Sequence, residues 1–359
     1  MKRRFILVAM ALMLIGAFAM AEEAVLIDFA NLEADIIEGP DGNMTHNRRT
    51  MMDYSTVAGA SFTDEQKALM RTSLALNNWE VELNSSAKNV TSVSVSRAIA
   101  APVSQNAKKF AGQTIIGVRV NFPMWNSNAN ATIKPSFEIP SYEPMAQVSD
   151  DGVVQEPTDA DREMGISRFE DGYGIIKNVA VIKEIAVNTY GMNFPHGLYV
   201  LLRDENNNDQ RYFMGYLNFD GWRQLIWRNP GYVSEVRTRE VRLYPVYPTA
   251  FPYVKFMGFL VTRDAAHDGG DYIGYFKDVK VIYDKAVLNT VRDFADEDLW
   301  GINTQKEMDR KQMEVNRFGG VQVLRFLEQE KMATEQGFTP SEGDPEAGAA
   351  EPAPATATE

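Results

Sequence analysis

Ile116-Gly117-Val118-Arg119-Val120-Asn121-Phe122 is the stretch that decides the fold. Its apolar residues fall on even numbers and its glycine, arginine and asparagine on odd ones. This is the two-residue period of a strand with one face in a core. The same period returns on both sides of it. Trp79-Glu80-Val81-Glu82-Leu83 alternates apolar with charged residues. Val179, Val181, Ile185 and Val187 share one parity, as do Val279, Val281 and Tyr283. Tyr199 to Arg203 and Gln210 to Leu217 predict a hairpin across the polar run Asp204 to Asp209, and Val254 to Val261 reads as an apolar strand buried on both faces. Short strands divided by Asn, Asp, Gly and Pro predict antiparallel sheets packed face to face, a mainly β sandwich.

The flanks divide the rest of the chain. Lys2, Arg3 and Arg4, an apolar run from Phe5 to about Ala17, and Ala19-Met20-Ala21 ahead of Glu22 make a basic, an apolar and a small-residue region in succession. Residues 1–21 therefore read as a cleavable signal peptide with the cut between Ala21 and Glu22. The apolar core is shorter than the roughly 20 residues that a membrane-spanning helix needs, so no membrane insertion is expected after cleavage. Residues 22–75 read as an N-terminal segment with a short helix opened by Thr63 and Gln66 as a capping box. The sandwich is assigned to 76–287, with a long acidic, proline-containing surface loop near 141–171. Residues 288–337 predict peripheral C-terminal helices, the first capped by Thr304 and Glu307. It is expected to break at Gly319-Gly320 before a second helix whose apolar face is Val323, Leu324, Phe326 and Leu327. Residues 338–359, rich in Pro, Ala, Gly, Glu and Thr, predict a disordered tail.

The absence of cysteine removes disulfides, thiolate metal sites and cysteine nucleophiles, so a core must hold the fold. The net charge is −13; three cations lie in the leader, leaving −16 on the remainder, a surface that repels nucleic acid and anionic lipid. Catalytic constellations are lacking. His46, His196 and His267 show no metal-ligand or triad spacing, Gly172-x-Gly174 lacks the rest of a dinucleotide fingerprint, and there is no nucleophile elbow. The runs Asp204 to Asp209 and His267 to Asp271 lack the calcium-loop pattern and read as solvated loops. No catalytic residue, cofactor or metal is predicted. The candidate contact residues are aromatic: Phe219, Trp222 and Trp227 lie around a turn, where a ring can anchor an interface, stack on a sugar or fill the core.

Asn78-Trp79-Glu80-Val81, Asn193 to Val200, Leu217 to Trp222 and Phe276-Lys277-Asp278-Val279 resemble segments of the spirochaete flagellar filament outer layer protein family, the sheath of periplasmic flagella. The resemblance runs from the leader to about Gly301. It implies a jelly-roll, galactose-binding-like sandwich and a non-enzymatic subunit. Its implied partners are a flagellin-type core filament and other sheath subunits, through self-association, in the periplasm. The alternative from another class is a periplasmic carbohydrate-binding module or glycan-processing protein, since sandwiches host both.

Overall fold

The computed structural model describes residues 22–32, 34–38, 42–47, 49–53, 63–65, 71–125, 127–141, 158, 168–232, 252–285, 294 and 296–336. Sixteen strands are described: β1 (Glu22–Asp28), β2 (Ile36–Glu38), β3 (Met44–His46), β4 (Met51–Asp53), β5 (Arg71–Ser73), β6 (Trp79–Leu83), β7 (Arg97–Pro102), β8 (Thr114–Phe122), β9 (Ala129–Pro135), β10 (Ile175–Lys177), β11 (Val179–Met192), β12 (Gly197–Asp204), β13 (Asp209–Tyr216), β14 (Asp220–Arg228), β15 (Tyr253–Arg263) and β16 (Gly270–Lys285). The helices are α1 (Val90–Val95), α2 (Asp296–Trp300) and α3 (Ile302–Gln336). Two six-stranded antiparallel sheets face each other, ordered β14-β11-β16-β8-β7 and β13-β12-β15-β9-β6. The chain crosses repeatedly between them, as in a jelly roll, and this is the mainly β sandwich that the alternating strands predict. The pairs β2–β3 and β4–β5 stand outside both sheets.

Each sheet is built on one long central strand. β16 pairs with β11 along one side; on the other it takes β8 over Gly270 to Phe276 and β1 over Asp278 to Tyr283, end to end. β15 likewise pairs with β12 on one side and with β9 and β10 on the other. The sandwich thus includes residues well before 76, because β1 (Glu22–Asp28) is one of its strands. Stacked rings of Phe259 and Phe276, 4.4 Å apart, join the central strands across the core, and Phe29, Trp79 and Phe256 extend the cluster. Each such side chain contributes about 1.5–3 kcal/mol by leaving water. Gly258 is required where β15 bulges. Its φ is +143°, and a Cβ there would lie 2.3 Å from the Ile133 carbonyl oxygen.

Most strands sit where alternation places them, with Val279 and Val281 fully buried and Tyr283 nearly so. Val181 is an exception. Register shifts between Val179 and Val181 and between Ile182 and Glu184 change the parity of β11, so Val181 is 44% exposed while Ile185 and Val187 are fully buried.

The C-terminal prediction fails in one respect. Gly319 and Gly320 do not break the helix; α3 runs through them for 35 residues. A glycine costs about 1 kcal/mol in a helix, which the long flanking turns and the docking described below outweigh. The helix opens at Ile302 after Gly301 (φ +59°), so Thr304 lies within the first turn rather than capping it. Of the helix predicted after Thr63, Asp64 and Glu65 are helical and Gln66 lies outside the described residues. The loop near 141–171 is described only at its ends and at Thr158. Both ends are anchored, with Ser141 and Phe169 buried. Ala21, the rest of the expected leader and the expected tail 338–359 also lie outside the described residues. No described helix is long and apolar enough to cross a membrane.

Candidate functional site

The three candidate aromatics do not form one site. Phe219 is 6% exposed and belongs to the core, with the Arg223 guanidinium 4.3 Å above its ring. Trp222 and Trp227 are five residues apart on β14, so the pleat sends them to opposite faces. Trp227 packs against the core edge-on to Tyr212, at 4.6 Å, and thereby ties β14 of one sheet to β13 of the other. Trp222 is half-buried on the outer face of its sheet. Phe110 meets it edge-on at 4.8 Å and Tyr190 at 5.5 Å, and Tyr190 in turn contacts Tyr275 at 6.1 Å. Phe110 takes a left-handed φ of 56°, rare for an aromatic residue, so the loop between β7 and β8 accepts backbone strain in delivering that ring.

The two acidic runs close on themselves. Asp204 accepts hydrogen bonds from the backbone N–H groups of Asn206 and Asn208, both at 2.9 Å, and Arg203 grips Asp209 at 2.5 and 2.8 Å. Asp271 pairs with Arg119 at 2.6 Å and Asn121 at 2.9 Å. Among the described residues no group of three His, Asp or Glu could hold a metal ion.

The most heavily charged buried region lies where the sequence reads as apolar. Lys255, in the middle of β15, is fully buried, with Nζ 2.6 Å from Glu138 and 3.4 Å from Glu314 of α3. Glu314 also accepts the Ser141 N–H at 2.5 Å and the Ser141 hydroxyl. Arg317 of α3 reaches Glu138 at 2.7 Å and Asn207 at 2.8 Å, and Arg325 binds Glu80 and the Ser136 carbonyl. Burial pushes the Glu138 carboxyl up, but Lys255, Arg203 and Arg317 outweigh it and hold the group below the ordinary carboxylate range. The helix is therefore fastened to the second sheet by charged groups, while Met313 (65% exposed), Val321 (53%) and Leu324 (62%) remain in solvent. The expected apolar docking face is thus corrected at Leu324; the side chains of Val323, Phe326 and Leu327 lie outside the described residues. A cavity of about 20 Å³, lined by Glu138, Pro140, Glu314, Arg317, Val321 and Gln322, lies beneath the helix, room for about one water molecule.

Among the described residues, His196 is a strongly displaced titratable group. It is buried between Phe122 and Tyr272, each ring 5.1 Å away, and among the described residues neither ring nitrogen has a hydrogen-bond partner. Burial, helped by the nearby His267 and Arg263, pushes its pKa down to about 4.

Comparison with known proteins gives this assembly its context. A flagellar filament outer layer protein of Treponema pallidum (strain Nichols) is 65% identical over 96% of this chain and 98% of its own length. One from Spirochaeta aurantia is 42% identical over 99% of this chain and 100% of its own. Among solved structures, a carbohydrate-binding module of the β-sandwich superfamily aligns at 11% identity over 57% of each chain with a TM-score of 0.28, too distant to carry an argument. Residues 43–292 match the family described as flagellar filament outer layer protein FlaA, and the chain belongs to that family.

Proposed function

We propose that this chain is a structural subunit of the outer layer of a periplasmic flagellar filament. It coats a flagellin-type core, associates with neighbouring copies and tunes the stiffness and curvature of the filament. The single observation that carries this reading is the end-to-end similarity to outer layer proteins at 65% identity. The leader pattern before Glu22 supports delivery to the periplasm, and β1 (Glu22–Asp28) puts the residues just after the expected cut in the sandwich. A layer of rigid sandwiches around a thin filament raises its bending resistance by adding material away from the axis. Co-sedimentation tests the reading: the protein is expected in the pellet with isolated periplasmic filaments, and recovery in the soluble periplasmic fraction alone would contradict it.

The carbohydrate-binding alternative draws on the half-buried aromatic row around Trp222. Phe110 and Tyr190 both pack steeply against Trp222, at 68° and 80°, so the ring is engaged within the fold. Calorimetric titration with a glycan panel is expected to give no Trp222-dependent heat. Heat abolished by Trp222→Ala would restore the alternative.

A further inference from the structure

One arginine ties together the end of the sandwich where β8 turns into β9. Arg263, the last residue of β15, is 1% exposed. Its guanidinium donates to the carbonyl oxygens of Pro123, of Trp125 at 2.8 Å and of Ser127 at 2.5 Å, all in that turn. The turn between β15 and β16 is pressed against the same segment. A Cβ on Gly269 would lie 2.1 Å from the Pro123 carbonyl oxygen, and the Ala265 N–H donates to the Asn128 side chain at 3.1 Å. This grip holds two large apolar side chains out in solvent, Met124 (72% exposed) and Trp125 (51%), with the Trp125 indole N–H donating to the Ser86 carbonyl at 3.2 Å. Tryptophan is prominent among the residues that anchor protein interfaces, so the order of this turn bears on what it can touch.

Arg263 is buried without a carboxylate. Among the described residues it enters no ion pair, and its Nε has no hydrogen-bond partner. His196 comes from the connection between β11 and β12 and fills a slot made by Phe122 at the end of β8, Tyr272 of β16 and Phe194, the last 6.0 Å away. The charged and titratable neighbours supply no negative partner there. Burial, His267 and Arg263 all oppose a proton on His196. Asp264 and Asp268 of the β15–β16 turn are exposed, and Asp271 is taken by Arg119 and Asn121. A neutral His196 therefore suits the closed end, whereas a protonated one would be a second buried cation beside Arg263.

We propose that His196 and Arg263 form an acid-sensitive clasp: protonation of His196 drives it from its aromatic slot, loosens the Arg263 grip and frees the turn carrying Met124 and Trp125 while the two sheets stay paired. The clasp does not depend on the outer-layer reading; it sets the pH range in which this turn is an ordered contact surface. Once out of its slot His196 titrates as an ordinary histidine, near pH 6.5, so each pH unit below that favours the open end by about tenfold until the closed form itself takes the proton. The closed end is thus fully held above about pH 6.5 and weakens as pH falls.

Hydrogen exchange of the full chain, read by mass spectrometry and expressed as protection factors so that the pH dependence of exchange itself cancels, tests the clasp. Residues 120–130 are expected to exchange with protection at least about tenfold below that of the centres of β12 and β15, because they open without unfolding the sheets. That protection is expected to fall about tenfold per pH unit between about pH 6.5 and about pH 5, and to stay flat in His196→Phe. His196→Gln is expected to be flat as well and serves if the phenylalanine does not fit, with circular dichroism confirming the fold. Arg263→Lys loses the forked grip and is expected to lower protection of 120–130 at least about tenfold already at pH 7. Protection of 120–130 equal to that of the sheet centres, a pH slope that survives both His196 variants, or unchanged protection in Arg263→Lys would each overturn the proposal.

Discussion

Lys255 was hidden from sequence reading because its partners, Glu138 and Glu314, lie far from it in the chain and on different elements. Between Val254 and Phe256 it looks like a blemish in an apolar strand; in the fold it is the pin under α3. Removing one member of a buried charge network leaves the others unpaired, which costs about 3–5 kcal/mol. Lys255→Met is expected to lose stability in that range in urea unfolding, and Lys255→Met/Glu314→Gln to recover part of the loss. His196 makes a second prediction. Its folded pKa, about 4, lies below the 6.5 of an ordinary histidine, so the unfolded chain binds more protons between those values. Stability is therefore full above about pH 6.5 and falls as pH drops toward 4, by at most about 3 kcal/mol. His196→Phe is expected to flatten that part of the stability profile, measured against wild type from pH 7 to 4.5. The aromatics teach the same lesson from the other side. Trp222 and Trp227 stand close in sequence, yet an odd spacing on a strand parts them, a rule that could have been applied from the sequence alone.

At the scale of elements, strands were legible wherever one face is buried and no bulge intervenes. The even residues Ile116, Val118, Val120 and Phe122 are all buried, as their alternation requires, whereas two shifts in β11 undo the parity at Val181. β1 was missed because Glu22 to Asp28 lacks clean alternation and follows directly on the apolar leader pattern. The helix α3 was misread at its glycines, whose modest cost invites a break only when nothing else holds the helix. A Cβ on Gly320 would meet nothing within 4 Å, so Gly320→Ala is expected to raise the unfolding free energy by up to about 1 kcal/mol. A loss of stability there would contradict the reading of Gly320 as an unpacked position in the helix. Deleting Ile302 to Gln336 uncovers Lys255 and Glu138 while leaving both sheets intact. A folded, less stable sandwich is expected, and continued co-sedimentation with filaments at wild-type levels would exclude α3 from the filament contact.

The whole molecule is an acidic sandwich with a charged helical strap on one sheet and open strand edges on two opposite sides. The net charge and the leader pattern were plain in the sequence; which strands end the sheets was not, because it depends on long-range pairing around β15 and β16. Such a unit suits a repeating layer. Cryo-electron tomography of periplasmic filaments from cells with and without this protein, with immunogold labelling, tests that claim most directly. The account predicts label along the filament, and thinner filaments of altered curvature when the protein is absent. Label confined to the space around filaments whose diameter and shape do not change would contradict it.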